Sequence, residues 1–146
     1  MKKACLVVLL ALCAFQVRSQ AIVEVKLLRL DAAQLLVLVL NNSPETTELN
    51  RNFCRGAVGG LSFDITSAEG HRYPFQVLLN EGCDLDSHVQ LAPMGVVGKV
   101  FSIAELLAFH GHPTGKLNLT AQLCQRGKAG NKVNCLTSNR IEISAH

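Results

Sequence analysis

The sequence has few of the features that mark an enzyme or a membrane protein. It contains no tryptophan, one tyrosine and only 17% charged residues. It has no G-x-S-x-G or H-E-x-x-H motif, and residues 95–99 lack the spacing of a phosphate-binding loop. After the amino-terminal segment, no run of eighteen uncharged apolar residues occurs. We therefore expect no catalytic site, no cofactor and no membrane span in the mature protein.

The amino terminus has the order of an export signal. Lys2 and Lys3 precede an apolar stretch over residues 4–15. Val17 and Ser19 occupy the −3 and −1 positions of a cleavage site before Gln20, and Ser19 and Ala21 suit a cut before Ile22 equally well. This stretch is too short to span a bilayer, although a short amino-terminal anchor is the alternative. We interpret residues 1–19 as a signal peptide and residues 20–146 as a single exported domain, secreted or periplasmic.

Removal of the signal changes the charge balance. Of 14 basic residues, Lys2, Lys3 and Arg18 lie in the signal, so the mature chain has 11 basic and 11 acidic residues. Nucleic acids and anionic membranes select proteins with a basic surplus. We therefore expect neither as a partner.

The mature chain keeps an even number of cysteines: Cys54, Cys83, Cys124 and Cys135. In an oxidising compartment this predicts disulfides, for which three pairings are possible. We favour Cys124–Cys135, which closes a short polar loop between two strand-like runs, and this leaves Cys54–Cys83. Zinc sites need closer cysteine pairs than these.

Short apolar runs separated by turn residues predict the fold. Residues 61–66 and 116–123 alternate between apolar and polar side chains, which is typical of half-buried strands. Further strands are predicted at residues 22–30, 34–40, 71–79, 88–91, 96–101 and 140–144. A capping box, Ser102 to Glu105, and apolar spacing up to Gly111 predict one short helix. The pattern indicates an all-β, antiparallel sandwich of about seven strands.

The order of the motifs resembles a known sandwich family. An Asn-ended strand (LLVLVLNNS) is followed by LSFDITSAEGHRYPF, LAPMG, VVGKVFSIAELL, GKLNLTAQ and LTSNRIEIS. This order resembles the immunoglobulin-like β-sandwich of the Bacillus intracellular proteinase inhibitor type over residues 22–144. It is also similar to the non-catalytic sandwich domain of peptidyl-Lys metalloendopeptidases. The resemblance implies an immunoglobulin-like fold and inhibition of a peptidase.

The loop between Cys124 and Cys135 is the most suggestive surface feature. It contains Arg126, Lys128 and Lys132, two glycines and no acidic residue. A disulfide at its base would reduce the entropy that is lost when the loop is ordered on binding. We predict that these basic side chains contact an acidic pocket of a protein partner; a solvated hairpin tip is the alternative.

Two groups have the residue types of metal ligands. His110 and His112 flank a glycine, but no third ligand follows, and a cationic histidine at a helix end is the alternative. In the second group Asp84, Asp86 and His88 alternate along the chain, and Glu81 precedes them. It fits either a cation site or the solvent face of an edge strand. We predict no resident metal.

Together these features predict an exported, non-catalytic protein-binding module. A peptidase inhibitor is one form of it. The alternative is a periplasmic immunity protein that neutralises an exported toxin or lytic enzyme. Asn41 and Asn118 begin N-x-S/T sequons, which matter only if the source exports through an endoplasmic reticulum.

Overall fold

The computed structural model describes residues 23–50, 53, 55, 60–76, 88–126 and 133–145. These ranges form ten strands and one short helix: β1 (Val23–Arg29), β2 (Gln34–Asn41), β3 (Thr47–Asn50), β4 (Leu61–Ser67), β5 (Arg72–Tyr73), β6 (His88–Leu91), β7 (Val96–Ser102), α1 (Ile103–Ala108), β8 (Gly115–Arg126), β9 (Val133–Thr137) and β10 (Ile141–Ala145). No helix in the described part of the chain could span a membrane. Several predictions fall outside these ranges: the signal peptide, Cys54, Cys83, Glu81, Asp84, Asp86, Lys128 and Lys132.

The named strands pair antiparallel throughout. One sheet has the order β1-β2-β7, and a larger one has the order β10-β8-β4-β5, with β9 also paired to β8. A third, two-stranded sheet joins β3 to β6. The predicted all-β class with one short helix is confirmed, and the strands outnumber the roughly seven expected.

The two larger sheets share one apolar core. Alternate residues of β2 and β8, such as Val37 and Leu119, are fully buried. Leu61 and Ile65 of β4 are buried in the same core, so the alternation predicted for β4 and β8 is confirmed. Burial of a leucine or isoleucine of this kind contributes about 1.5–3 kcal/mol. Because the alternate side chains point outward, the outer face of the larger sheet is left to polar residues.

The segment 71–79, predicted as one strand, forms only the two-residue β5 within the described residues. Pro74 ends it, since proline has no amide hydrogen to donate to a neighbouring strand. The amide of Gln76 instead donates to the carbonyl of Phe109, at 2.8 Å. Over the described part of this segment, which ends at Gln76, the prediction of a continuous strand is therefore wrong. After Tyr73 the chain leaves the sheet and runs towards the end of α1.

Helix α1 begins as predicted, but its capping box is only half formed. The Ser102 hydroxyl accepts a hydrogen bond from the Glu105 amide, at 3.4 Å. The Glu105 carboxylate is paired with Arg55 Nη2, 2.9 Å away. Gly111, at φ +82°, turns the chain after the helix in a conformation that suits glycine. The long-range ion pair thus takes the place of the predicted local contact of Glu105.

Asn41 joins three parts of the fold by side-chain hydrogen bonds. It is 0% exposed. A simple turn residue bonds within its own turn, whereas Asn41 also bonds to distant residues. Its Nδ2 donates to the carbonyls of Glu45 (2.8 Å), Leu91 (2.8 Å) and Ala92 (3.1 Å), and its Oδ1 accepts from the Ser43 amide (3.0 Å) and the Thr47 hydroxyl (3.2 Å). A glycan would be attached at Nδ2, so the folded structure has no room for one at this sequon. We call this region the Asn41 corner.

Candidate functional site

An apolar pocket of about 170 Å³ lies between the inner face of β4, helix α1 and the segment after β5. Three of the six phenylalanines of the chain line it: Phe63, Phe75 and Phe109. Leu61 and Leu106 complete its apolar wall, and Arg55 and His110 bring the charged and titratable side chains. We call it the aromatic pocket. Its composition suits a ligand group that is mainly apolar.

His110 is a buried wall of the aromatic pocket, with 3% of its surface exposed. Its Nδ1 lies 2.7 Å from the carbonyl oxygen of Tyr73. A carbonyl oxygen can only accept, so Nδ1 carries the hydrogen and Nε2 is the acceptor of the neutral ring. The ring also packs edge-on against Phe75, with centroids 5.4 Å apart. The histidine placed at the helix end by the sequence is thus buried there and contacts the Tyr73 carbonyl of β5.

The other predicted metal ligands do not join His110. His112 is exposed and adopts φ +53° beyond the helix. His88 begins β6, where its Nε2 lies 4.0 Å from Glu48 Oε1. Among the residues that the structure describes, no group of three His, Cys, Asp or Glu side chains is arranged to hold a metal ion.

Arg55 forms the charged side of the aromatic pocket. Its side chain is 13% exposed and is ion-paired with Glu105. The guanidinium carbon lies 4.7 Å from the centre of the Phe109 ring, in a cation–π arrangement. These contacts link the Phe109 ring to the cation and the cation to helix α1.

A polar groove of about 530 Å³ adjoins the aromatic pocket on the outer face of the larger sheet. The two concavities share Ser62, Phe63 and Phe75 as lining residues. The groove is further lined by Asp64, Arg72, Thr120, Gln122 and Thr137. The alternation of β4 and β8 explains this lining, because their inward residues form the core and their outward residues are hydroxyl, amide and carboxylate groups.

The groove leads to the base of the β8–β9 hairpin. Cys124 and Cys135 are opposite each other in the register and form a disulfide, which is the favoured pairing. They lie two register positions beyond the Gln122–Thr137 pair of the groove, and strand pairing continues to Arg126 opposite Val133. We call this unit the clamped hairpin. Lys128 and Lys132, and the Cys54–Cys83 pairing, lie outside the described residues and stay predictions.

The aromatic pocket was not predicted from the sequence. Its lining comes from four separated places: Arg55, β4, the segment after β5 and the end of α1. The one signal in the sequence was His110, which follows the apolar spacing of the helix and therefore belongs to its buried face. Nothing in the local pattern indicates that Phe75 turns towards Phe109.

Comparison of the chain with protein-family models, with curated proteins and with solved structures finds no match. The resemblance to the proteinase-inhibitor sandwich therefore stays a prediction from motif order. Function has to be inferred from the aromatic pocket, the polar groove and the clamped hairpin.

Proposed function

We propose that this protein is an exported, non-catalytic module that binds another protein through the polar groove and the aromatic pocket. The observation that carries the proposal is their continuity, since an apolar pocket opens beside a polar groove and shares Phe63 and Phe75 with it. Protein recognition sites combine a few buried aromatic anchors with surrounding polar contacts. A polypeptide lying in the groove would place one apolar side chain in the pocket.

The clamped hairpin supports the same proposal. The Cys124–Cys135 bridge restricts the base of the loop that carries the basic residues, so less entropy is lost when a partner orders that loop. We propose that Arg126, Lys128 and Lys132 contact an acidic pocket of the partner, beyond the end of the groove. If the partner is a peptidase, its specificity pocket is the natural place for such a side chain.

The same disulfide supports an extracellular or periplasmic location. Disulfides form and persist in oxidising compartments and are rare in the reducing cytosol. Together with the signal-like amino terminus, this favours a secreted or periplasmic protein. A peptidase and an exported toxin would both be met in such a compartment. Identifying the protein that the module binds distinguishes between them.

Site-specific photocrosslinking tests the proposal. A photoreactive residue replaces Gln122 in the groove or, as a matched control, Ser144, which is exposed on β10 and does not line the groove. Both mature proteins are incubated with the native extracellular or periplasmic fraction. We expect the Gln122 probe to label one protein that mass spectrometry identifies, and the Ser144 probe to leave it unlabelled.

Affinity measurements with the identified partner complete the test. Thr137→Arg places a long charged side chain in the groove, and Ser144→Arg makes the same change outside it. We expect Thr137→Arg to weaken binding at least about tenfold and Ser144→Arg to change it less than about twofold, with equal melting temperatures. Equal affinities for the two variants would show that the groove does not bind the partner.

A further inference from the structure

We infer that the aromatic pocket binds a single phenol ring, the side chain of a tyrosine in the polypeptide that occupies the polar groove. The inference rests on the proposed function and adds the chemistry of the anchor. Three observations support it: the volume of the pocket, the nature of its walls and the orientation of His110.

The volume suits one six-membered ring. The pocket encloses about 170 Å³, and an apolar protein cavity of roughly 150 Å³ is known to bind benzene. Because the pocket and the groove share Phe63 and Phe75, a ring inside the pocket stays connected to a chain in the groove.

The walls favour an aromatic ring over an aliphatic side chain. Phe75 is tilted against Phe109, with ring centroids 5.8 Å apart, and it packs edge-on against His110. Aromatic rings gain from such edge-to-face and tilted neighbours beyond the burial of their area. The Arg55 cation at the rim adds attraction for the face of an electron-rich ring, which a phenol provides.

His110 selects for the phenol hydroxyl. The Tyr73 carbonyl holds a hydrogen on Nδ1, so in the neutral ring Nε2 is an acceptor. In the described part of the chain the Nδ1 contact is the hydrogen bond that the ring makes. The ring is almost fully buried at the pocket. Its Nε2 nevertheless keeps accessible surface, so a hydroxyl can reach it. A phenol hydroxyl that enters the pocket would donate to this nitrogen, whereas a phenylalanine ring would cover it without offering a donor.

The experiment compares p-cresol with toluene, which has the same ring and methyl group but lacks the hydroxyl. Each is titrated into the folded full-length mature protein, and binding is followed by NMR shifts of the Phe75 and His110 rings. We expect p-cresol to bind at least about tenfold more tightly than toluene. Equal affinities would overturn the role of His110, and the lack of saturable binding by either compound would overturn the ring pocket.

Two variants and a control locate the effect. His110→Phe keeps an aromatic ring but has no acceptor, so we expect the preference for p-cresol to disappear. Phe75→Ala removes a wall, so we expect both compounds to bind more weakly. His112→Phe changes an exposed histidine two positions away and is expected to change neither affinity. If His110→Phe does not fold, the comparison of the two compounds in the unmodified protein still tests whether the pocket prefers a hydroxyl.

A peptide pair separates a tyrosine from a free phenol. Peptides taken from the crosslinked region of the partner, with tyrosine or with phenylalanine at the same position, are titrated into the protein. A preference for tyrosine that is lost in His110→Phe supports the inference, and binding of p-cresol without this preference overturns the assignment to a tyrosine. The proposed function fails separately, if Thr137→Arg leaves partner affinity unchanged while p-cresol still binds.

Discussion

The Asn41 corner and the aromatic pocket each contain a buried polar side chain, but they use it differently. Asn41 is 0% exposed and His110 is 3% exposed. Asn41 makes five side-chain hydrogen bonds to its surroundings. Within the described part of the chain His110 makes one, from Nδ1 to the Tyr73 carbonyl, and its ring lines the aromatic pocket.

The difference separates a structural residue from a recognition residue. Buried polar groups in native proteins are almost always hydrogen-bonded, so an acceptor left open beside a cavity is a place where a ligand donor can bind. Asn41 has used both of its polar atoms inside the protein, and we expect its loss to be measured mainly as stability. For His110 we expect the loss to be measured mainly as ligand selectivity.

The largest expected effect on stability is that of Asn41→Ala. The substitution removes a donor from the Leu91 carbonyl and the acceptor of the Ser43 amide, both in buried contacts, whereas the Glu45 and Ala92 carbonyls keep the Ser43 hydroxyl and the Gly95 amide as donors. We expect the free energy of unfolding to fall by about 2–3 kcal/mol. Urea denaturation measures it. The neighbouring Asn42 is exposed, so Asn42→Ala is the control, with a change within about 0.5 kcal/mol. Similar losses of unfolding free energy in both variants would show that Asn41 has no special structural role.

The second-largest expected effect on stability is that of removing the disulfide of the clamped hairpin. Replacing both Cys124 and Cys135 by alanine opens a loop with a sequence separation of 11, and on the chain-entropy account it costs about 2–3 kcal/mol. We expect partner affinity to fall as well, because the loop is less restricted before binding. Non-reduced peptide mapping of the unmodified protein provides the control, since it must show Cys124 joined to Cys135. Another pairing would contradict the clamped hairpin.

His110→Phe is expected to cost less stability than Asn41→Ala. The change removes one hydrogen bond to Tyr73 but keeps an aromatic ring of similar size against Phe75, so we expect a loss of about 1–2 kcal/mol. Denaturation under the conditions used for Asn41→Ala measures the difference. If the two losses were equal, His110 would be as structural as Asn41, and the contrast between the two regions would not hold.

Charge changes in the hairpin loop are expected to leave stability almost unchanged. We predict that Arg126→Ala or Lys128→Ala weakens partner binding about tenfold, because each removes a proposed contact with an acidic pocket. Calorimetric titration and thermal melting measure the two quantities. Arg140→Ala, at an exposed position beyond the far end of β9, controls for the loss of positive charge. Unchanged affinity in both loop variants would exclude the loop from the interface.

The smallest expected effect concerns two exposed glutamates. The Ser67 hydroxyl lowers the pKa of Glu69 by a hydrogen bond, and a hydrogen bond from Lys26 is the main cause that lowers the pKa of Glu24. A carboxyl group with a lowered pKa stabilises the folded state above its unfolded pKa. This contribution is lost as the pH falls through the folded value, below about 4.3. Carboxyl NMR titration measures both pKa values. Glu69→Gln should make stability slightly less sensitive to acid, and a raised pKa for Glu69 would contradict the turn geometry.

Part of the fold follows from local patterns. The strand faces of β4 and β8 follow from strict alternation, and the start of α1 follows from Ser102, because both depend on neighbours within a few residues. The pairing of Cys124 with Cys135 was also predictable, since these cysteines flank a short loop between strand-like runs. Strand β3 was not predicted, because Thr47–Asn50 contains one apolar residue among polar ones.

The residue order of this chain is sufficient to define the all-β class, the apolar side of each long strand and the helix start. The packing of distant segments decided the rest. It buried Asn41 and His110, moved Glu105 from its helix cap to Arg55, and brought Phe63, Phe75 and Phe109 around one pocket. The physical reason is range: alternation and capping act between near neighbours, whereas a pocket wall depends on contacts between residues that are far apart in the chain.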